Sequence, residues 1–292
     1  MPPQKACGCW RTSLSLLTQL SLAVVLPPSL AAAESASGNQ PHIEWKQLQP
    51  GLEFAVLALD PSTPDKPLTV VRIDPAQARL RALVAAEHDG RERTVHDWCE
   101  REKLAAAINL GMFRLDHRTN VGYLRTGKRI NNHKWASKYQ SVLAFDPRRA
   151  GLPSAAMVDL DEPGAKQRLE DYDTVIQNLR LIKAPGQSAW HKQDRRWSEA
   201  AVASDREGHI LFLFSRTPFA MADFNRMLLA LPLHIERAMH VEGGPEASLS
   251  IHAGGVGTDL YGSYETGFIE QDSNGRAWPI PNVIGVEAVA AP

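Results

Sequence analysis

His240-Val241-Glu242-Gly243-Gly244-Pro245-Glu246-Ala247-Ser248 gathers an imidazole, two carboxyls and two adjacent glycines into one short stretch. An acid at the end of a strand is fixed by the sheet behind it, and paired glycines let the backbone come close to a bound molecule. In that position Glu242 can act as general acid or base, or orient a substrate hydroxyl. His240 alternates with Glu242 on one strand face, and Glu246 is a second acid within reach. A glycine turn with a structural carboxylate would read the same way.

A second stretch, Asn109-Leu110-Gly111-Met112-Phe113, is followed by Asn120-Val121-Gly122-Tyr123-Leu124. A strand would deliver Asn109 to its end, and Gly111 permits a tight turn whose N–H groups and Asn amide face one ligand. The alternative is a hairpin loop with Phe113 as a core plug. Other chemistries lack their patterns. There is no G-x-S-x-G elbow and no H-E-x-x-H helix. Gly254-Gly255-Val256-Gly257 has neither the later glycine nor the preceding strand of a dinucleotide loop. Asp159 with Asp161, or Asp171 with Asp173, reads as an exposed carboxylate pair. A metal near Asp259 or the acidic loops has no ligand spacing to support it.

These stretches need elements to hold them. Phe54 to Leu59, Leu68 to Ile73 and Leu80 to Ala85 read as short strands. Thr94 with Asp97 is a capping-box-like start for a helix ending near Lys103, and Leu104 to Leu110 follows as a buried strand. Val121 to Arg125, Ser141 to Phe145, Ala155 to Leu160 and Thr174 to Gln177 are further strands. Residues 185–197 read as an irregular loop. Asp205-Arg206-Glu207-Gly208 joins two apolar runs as a hairpin, Ala220 to Leu231 has helical spacing, and Ala238 to Val241 is a strand. Many short strands, few helices and no βαβ alternation predict a single α+β domain, with a mixed, mostly antiparallel β-sheet flanked by a few helices.

Lys5 and Arg11 precede an uncharged apolar run from Leu14 to Leu30, closed by Ala31-Ala32-Ala33. This is the layout of a signal peptide over residues 1–33, with a flexible lead-in over 34–50 and the domain over 51–292. The expected location is periplasmic or secreted, with no membrane span in the remaining chain. Removing the leader takes away Cys7 and Cys9 and leaves Cys99, so no internal disulfide can form. Cys99 follows Trp98 on the expected helix and reads as a buried thiol. The whole chain has 292 residues, Lys+Arg 32, Asp+Glu 33 and a formal net charge of -1. That balance gives no reason to expect a polyanion-binding surface, so no nucleic acid partner is expected.

Taken in order, Asn109 to Phe113, Asn120 to Gly122, Glu242 to Gly244 and Asn282-Val283-Ile284-Gly285-Val286 resemble the motifs of the phosphodiester glycosidase domain, the family of the uncovering enzyme and its bacterial exported relatives. The resemblance spans residues 54–286. It departs from the family where the usual Asp becomes Glu242, where a Ser pair becomes Glu246-Ala247, and where an Arg falls on Glu199. Gln177 matches a Gln often found on a central strand. The resemblance implies hydrolysis of a sugar-1-phosphate diester on its glycosidic side. It implies Glu242, Asn109 and His240 as catalytic residues. Gly111, Met112, Phe113, Gln177, Arg195, Arg196, Gly243, Gly244 and Glu246 would line the substrate site, with Arg195 or Arg196 clamping phosphate. No cofactor and no metal are expected, the partner is a carbohydrate phosphodiester, and the chain is expected to be a monomer. A non-catalytic glycan-binding module on the same fold is the alternative. The altered acid and missing Ser pair favour the module; the retained Asn loop and double glycine favour the hydrolase, which is the reading taken.

Overall fold

The computed structural model describes residues 43–289. The expected signal peptide, Cys7, Cys9 and the first part of the lead-in lie outside the described residues. The strands are β1 (Lys46–Gln49), β2 (Leu52–Ala58), β3 (Pro67–Ile73), β4 (Leu80–Val84), β5 (Leu104–Asn109), β6 (Leu124–Thr126), β7 (Arg129–Asn132), β8 (Ser141–Pro147) and β9 (Ala155–Asp159). They continue with β10 (Tyr172–Lys183), β11 (Gln187–Ser188), β12 (Trp197–Asp205), β13 (Ile210–Phe219), β14 (Ile235–Gly243), β15 (Ser248–Ala253), β16 (Val256–Tyr261) and β17 (Asn282–Glu287). Three helices accompany them: α1 (Val95–Glu102), α2 (Ala165–Leu169) and α3 (Met221–Ala230).

Two sheets carry the fold. A 12-stranded sheet runs β1-β2-β3-β13-β12-β14-β10-β6-β7, with β8 and β11 paired to β10 and β9 paired to β8. A 5-stranded sheet runs β16-β15-β5-β17-β4. The expected α+β balance gives way to a mostly-β fold. The sheet is not mixed either: all the named strand pairs are antiparallel. Tight turns at β1–β2, β6–β7, β12–β13 and β15–β16 return the chain antiparallel. The lead-in also ends earlier than residue 50, because Lys46–Gln49 pairs with β2.

Apolar alternation explains the layers. Val71, Ile73, Phe212, Phe214, Val202 and Met239 of the large sheet meet Ala106, Ile108, Leu249, Ile251 and Ile284 of the small one in a buried core. The opposite face of the large sheet, with Val70, Leu211, Leu213 and Ala203, takes Phe224, Met227 and Leu228 of α3. The outer face of the small sheet takes Trp98 and Cys99 of α1. That helix starts as its sequence dictates: the Thr94 side chain accepts the N–H of Asp97, and Asp97 accepts from the Thr94 backbone. It stops at Lys103, in the left-handed conformation at φ 55. Burial pushes the Cys99 thiol up to about 12, in keeping with an inert thiol.

Candidate functional site

β14 belongs to the large sheet and β15 to the small one, so the bend at residues 244–247 carries the chain from one layer to the other. β5 ends beside that bend. Asn109 donates from Nδ2 to the Glu246 carbonyl at 2.9 Å and accepts the Ser248 N–H on Oδ1 at 2.7 Å. The two stretches singled out by residue type therefore meet. Their meeting lines a cleft of about 360 Å³ with Met112, Phe113, Trp190, Arg195, Trp197, His240, Glu242, Gly243, Glu246 and Glu265.

Glu242 is the most constrained acid in the cleft. It is 6% exposed, and its one hydrogen bond comes from the Gly243 N–H at 3.1 Å. Burial pushes its carboxyl well above the ordinary value, and the nearby Glu246 pushes the same way. Glu246 is raised as well, by burial and then by Glu265. Burial and neighbouring acids thus favour the protonated form of both carboxyls, the direction that suits proton donation.

His240 has a different partner. Its Nδ1 lies 2.8 and 2.9 Å from the two carboxylate oxygens of Glu199, to which it donates. Glu199 is fully buried and also accepts the Trp197 indole N–H at 2.6 Å. This fixes the imidazole so that Nδ1 carries the shared proton and Nε2 is the nitrogen left for the cleft. A bulge helps to aim the pair: Ala200 faces Glu242 and Ala201 faces His240, so Val241 has no partner across the strand. Trp197 packs edge-on against His240, and Trp190 edge-on against Trp197, with centroids 6.0 Å apart in each case. A Cβ on Gly243 would come within 2.7 Å of the Trp197 ring, which explains the glycine.

Not every expected site residue reaches the cleft. The Asn109 amide is spent on backbone groups of the bend, so it positions rather than reacts. Gln177 is buried and committed: Oε1 accepts the N–H groups of Tyr123 and Ala136, and Nε2 donates to the Ala136 and Tyr139 carbonyls. It organises loops and leaves nothing for a substrate. Gly111 sits where a Cβ would lie 2.5 Å from Asn178 Oδ1, a packing requirement. Gly244 is buried under Glu265 and outside the lining, and the Gly243 N–H is taken by Glu242. Arg195 lines the cleft beside Glu265, at 4.0 Å, whereas Arg196 holds Thr266 through its backbone and does not line it. Trp190, Trp197 and Glu265 were not singled out from the sequence, and Glu199 was named only as the position on which a family Arg falls, not as a partner of His240. A lone acid in the apolar run Trp197–Asp205 was the available signal for Glu199, since a buried carboxyl needs a partner.

The model of the phosphodiester glycosidase family (NAGPA) matches residues 102–287. Among solved structures, the fold is similar to the pro-peptide-inhibited catalytic domain of zebrafish N-acetylglucosamine-1-phosphodiester alpha-N-acetylglucosaminidase. That match has a TM-score of 0.56 and 11% identity over 86% of each chain. It is also similar to a hypothetical protein from Synechocystis, with a TM-score of 0.54 and 14% identity over 82% of this chain and 64% of that one. A comparison with curated protein sequences gives no match. At such identities the solved structures speak for the fold, and the family match, running from the last residue of α1 through β17, places this chain in the phosphodiester glycosidase family.

Proposed function

We propose that this chain is an exported hydrolase that cleaves a sugar-1-phosphate diester at the glycosidic bond. Water adds to the anomeric carbon, the C–O bond to phosphate breaks, and the products are a free sugar and a phosphate monoester. What supports this reading most is the pairing, in one cleft, of a buried carboxyl whose protonated form burial favours, Glu242, with an imidazole oriented by Glu199. His240 Nε2 takes the proton of the attacking water. Glu242 passes its proton to the departing phosphate oxygen, which an ionised carboxylate would repel instead. Trp190 and Trp197 offer an apolar wall to the sugar face, and Arg195 is the cation lining the cleft. Among the described residues no helix is long and apolar enough to cross a membrane. Export rests on the leader pattern of residues 1–33.

The test is turnover of a panel of sugar-1-phosphodiesters by the wild-type chain and by Glu242→Gln. The variant is expected to lose ~10²–10⁴-fold in kcat/KM, the span of one general acid, with a melting temperature no lower than wild type. Full activity in the variant would reject the role of Glu242. Tight binding without turnover in the wild type would make the chain a glycan-binding module.

A further inference from the structure

Three side chains outside the cleft converge on one point from three elements. His96 stands in the first turn of α1, His252 on β15 and Asp259 on β16. His96 Nδ1 lies 3.2 Å from His252 Nε2. His252 Nε2 lies 3.0 Å from Asp259 Oδ1, and His96 Nδ1 lies 3.0 Å from Asp259 Oδ2.

Hydrogen bonding alone leaves this triangle incomplete. If both imidazoles donate to the carboxylate, two N–H groups face each other at 3.2 Å. If one imidazole donates to the other, the accepting nitrogen then faces a carboxylate oxygen, two acceptors together. One cation at the centre satisfies all three edges. With zinc–ligand bonds of ~2.0–2.1 Å, a tetrahedral edge is about 3.4 Å, close to the observed spacings. Ser250, paired across the hairpin with Asp259, donates its hydroxyl to Asp259 Oδ1 and orients that carboxylate. Gly257 faces His252 across the same hairpin, so no side chain from that position fills the site. Among the described residues the other cluster of ligand types, Asp205, Glu207 and His209, is accounted for by its turn: Asp205 Oδ1 accepts the N–H groups of Glu207 and His209, and Oδ2 engages the imidazole.

We infer that His96, His252 and Asp259 form a binding site for a zinc-class divalent metal, which ties α1 to the β15–β16 hairpin. Two imidazoles and one carboxylate select zinc and its transition-metal neighbours over calcium and magnesium, which prefer all-oxygen sets. The three side chains are partly exposed, so water completes the coordination. The metal would brace the hairpin whose first strand follows Glu246.

The untagged full chain, stripped with a chelator, is titrated with Zn2+, Co2+, Ca2+ and Mg2+ while bound metal and melting temperature are measured. One zinc per chain, a raised melting temperature and visible d–d absorption with Co2+ are expected, without equivalent binding of Ca2+ or Mg2+. His96→Ala and His252→Ala should each weaken zinc at least ~100-fold, and Ser250→Ala about 10–100-fold. His96→Gln serves as a second variant should the alanine variant misfold, and should weaken binding as strongly. Absence of stoichiometric zinc overturns the inference. Binding that survives His96→Ala and His252→Ala also overturns it, because the metal then sits elsewhere, as on Cys7 and Cys9.

Discussion

The Glu242 carboxyl exchanges water for a single N–H and a neighbourhood of other acids. In the unfolded chain it titrates as an ordinary glutamate, so its folded value lies above its unfolded one. Between those two values the native state holds a proton that the unfolded state has released, and stability falls as pH rises through that window. Below the window the group is neutral in both states and costs nothing electrostatically. Glu242→Gln replaces the protonated acid with a neutral group of the same shape, so it should be pH-independent where the wild type is not. Melting temperatures of the two proteins should coincide near about pH 4, with the variant the more stable near about pH 9. Parallel curves for the two proteins across that range would show that Glu242 is ionised in the fold at neutral pH, and would remove it as a proton donor. The same residue thus links a stability profile to a catalytic role, through one proton.

At the scale of the element, the contact that matters is between the end of β5 and the bend from β14 to β15. Asn109 spans it with one donor and one acceptor, both directed at main chain. Asn109→Ala leaves the buried Ser248 N–H without a partner and leaves the Glu246 carbonyl with only the Ser248 hydroxyl, at 3.2 Å. A loss of about 1–3 kcal/mol by urea denaturation is expected, with reduced turnover because Glu246 is no longer held. Unchanged stability would mean that the bend needs no clamp. The two bends themselves were legible because glycine, asparagine and acid at strand ends are local signals. α1 was legible for the same reason, through Thr94 and Asp97. Glu199 was not, because its meaning depends on His240, a residue on a neighbouring strand 41 positions away. The irregular loop over residues 185–197 hid Trp190, whose position in the cleft no periodicity encodes, whereas Arg195 was named there through the family resemblance. β15 and β16 were missed although Leu249 and Ile251 alternate with polar residues; Gly254-Gly255 joins them as a hairpin turn, having been weighed only as a failed nucleotide loop.

Across the whole molecule, the family match begins at residue 102, yet the sheets do not. β3 hydrogen-bonds along β13 over five register positions from Ile73 to Thr69, and β4 closes the small sheet against β17 from Leu80 to Val84. β2 and β3 cover one flank of the large sheet, and Val71, Ile73, Leu80 and Val84 belong to the core between the sheets. A fragment of residues 102–289 would lack those four side chains and uncover the core residues packed against them, Phe212, Phe214, Ile284 and Val286 among them. It would also leave β13 and β17 as open edges with unpaired N–H and C=O groups, the condition that promotes aggregation. That fragment should fail to give a cooperative urea transition, whereas residues 43–289 should unfold in one step. The hydrogen bond from Gln49 Nε2 to the Glu287 carbonyl, at 2.9 Å, further joins the two ends of the described chain. A soluble 102–289 fragment with a single sharp transition would show that the early strands are an addition to a self-sufficient unit, and the cleft could then be studied without them.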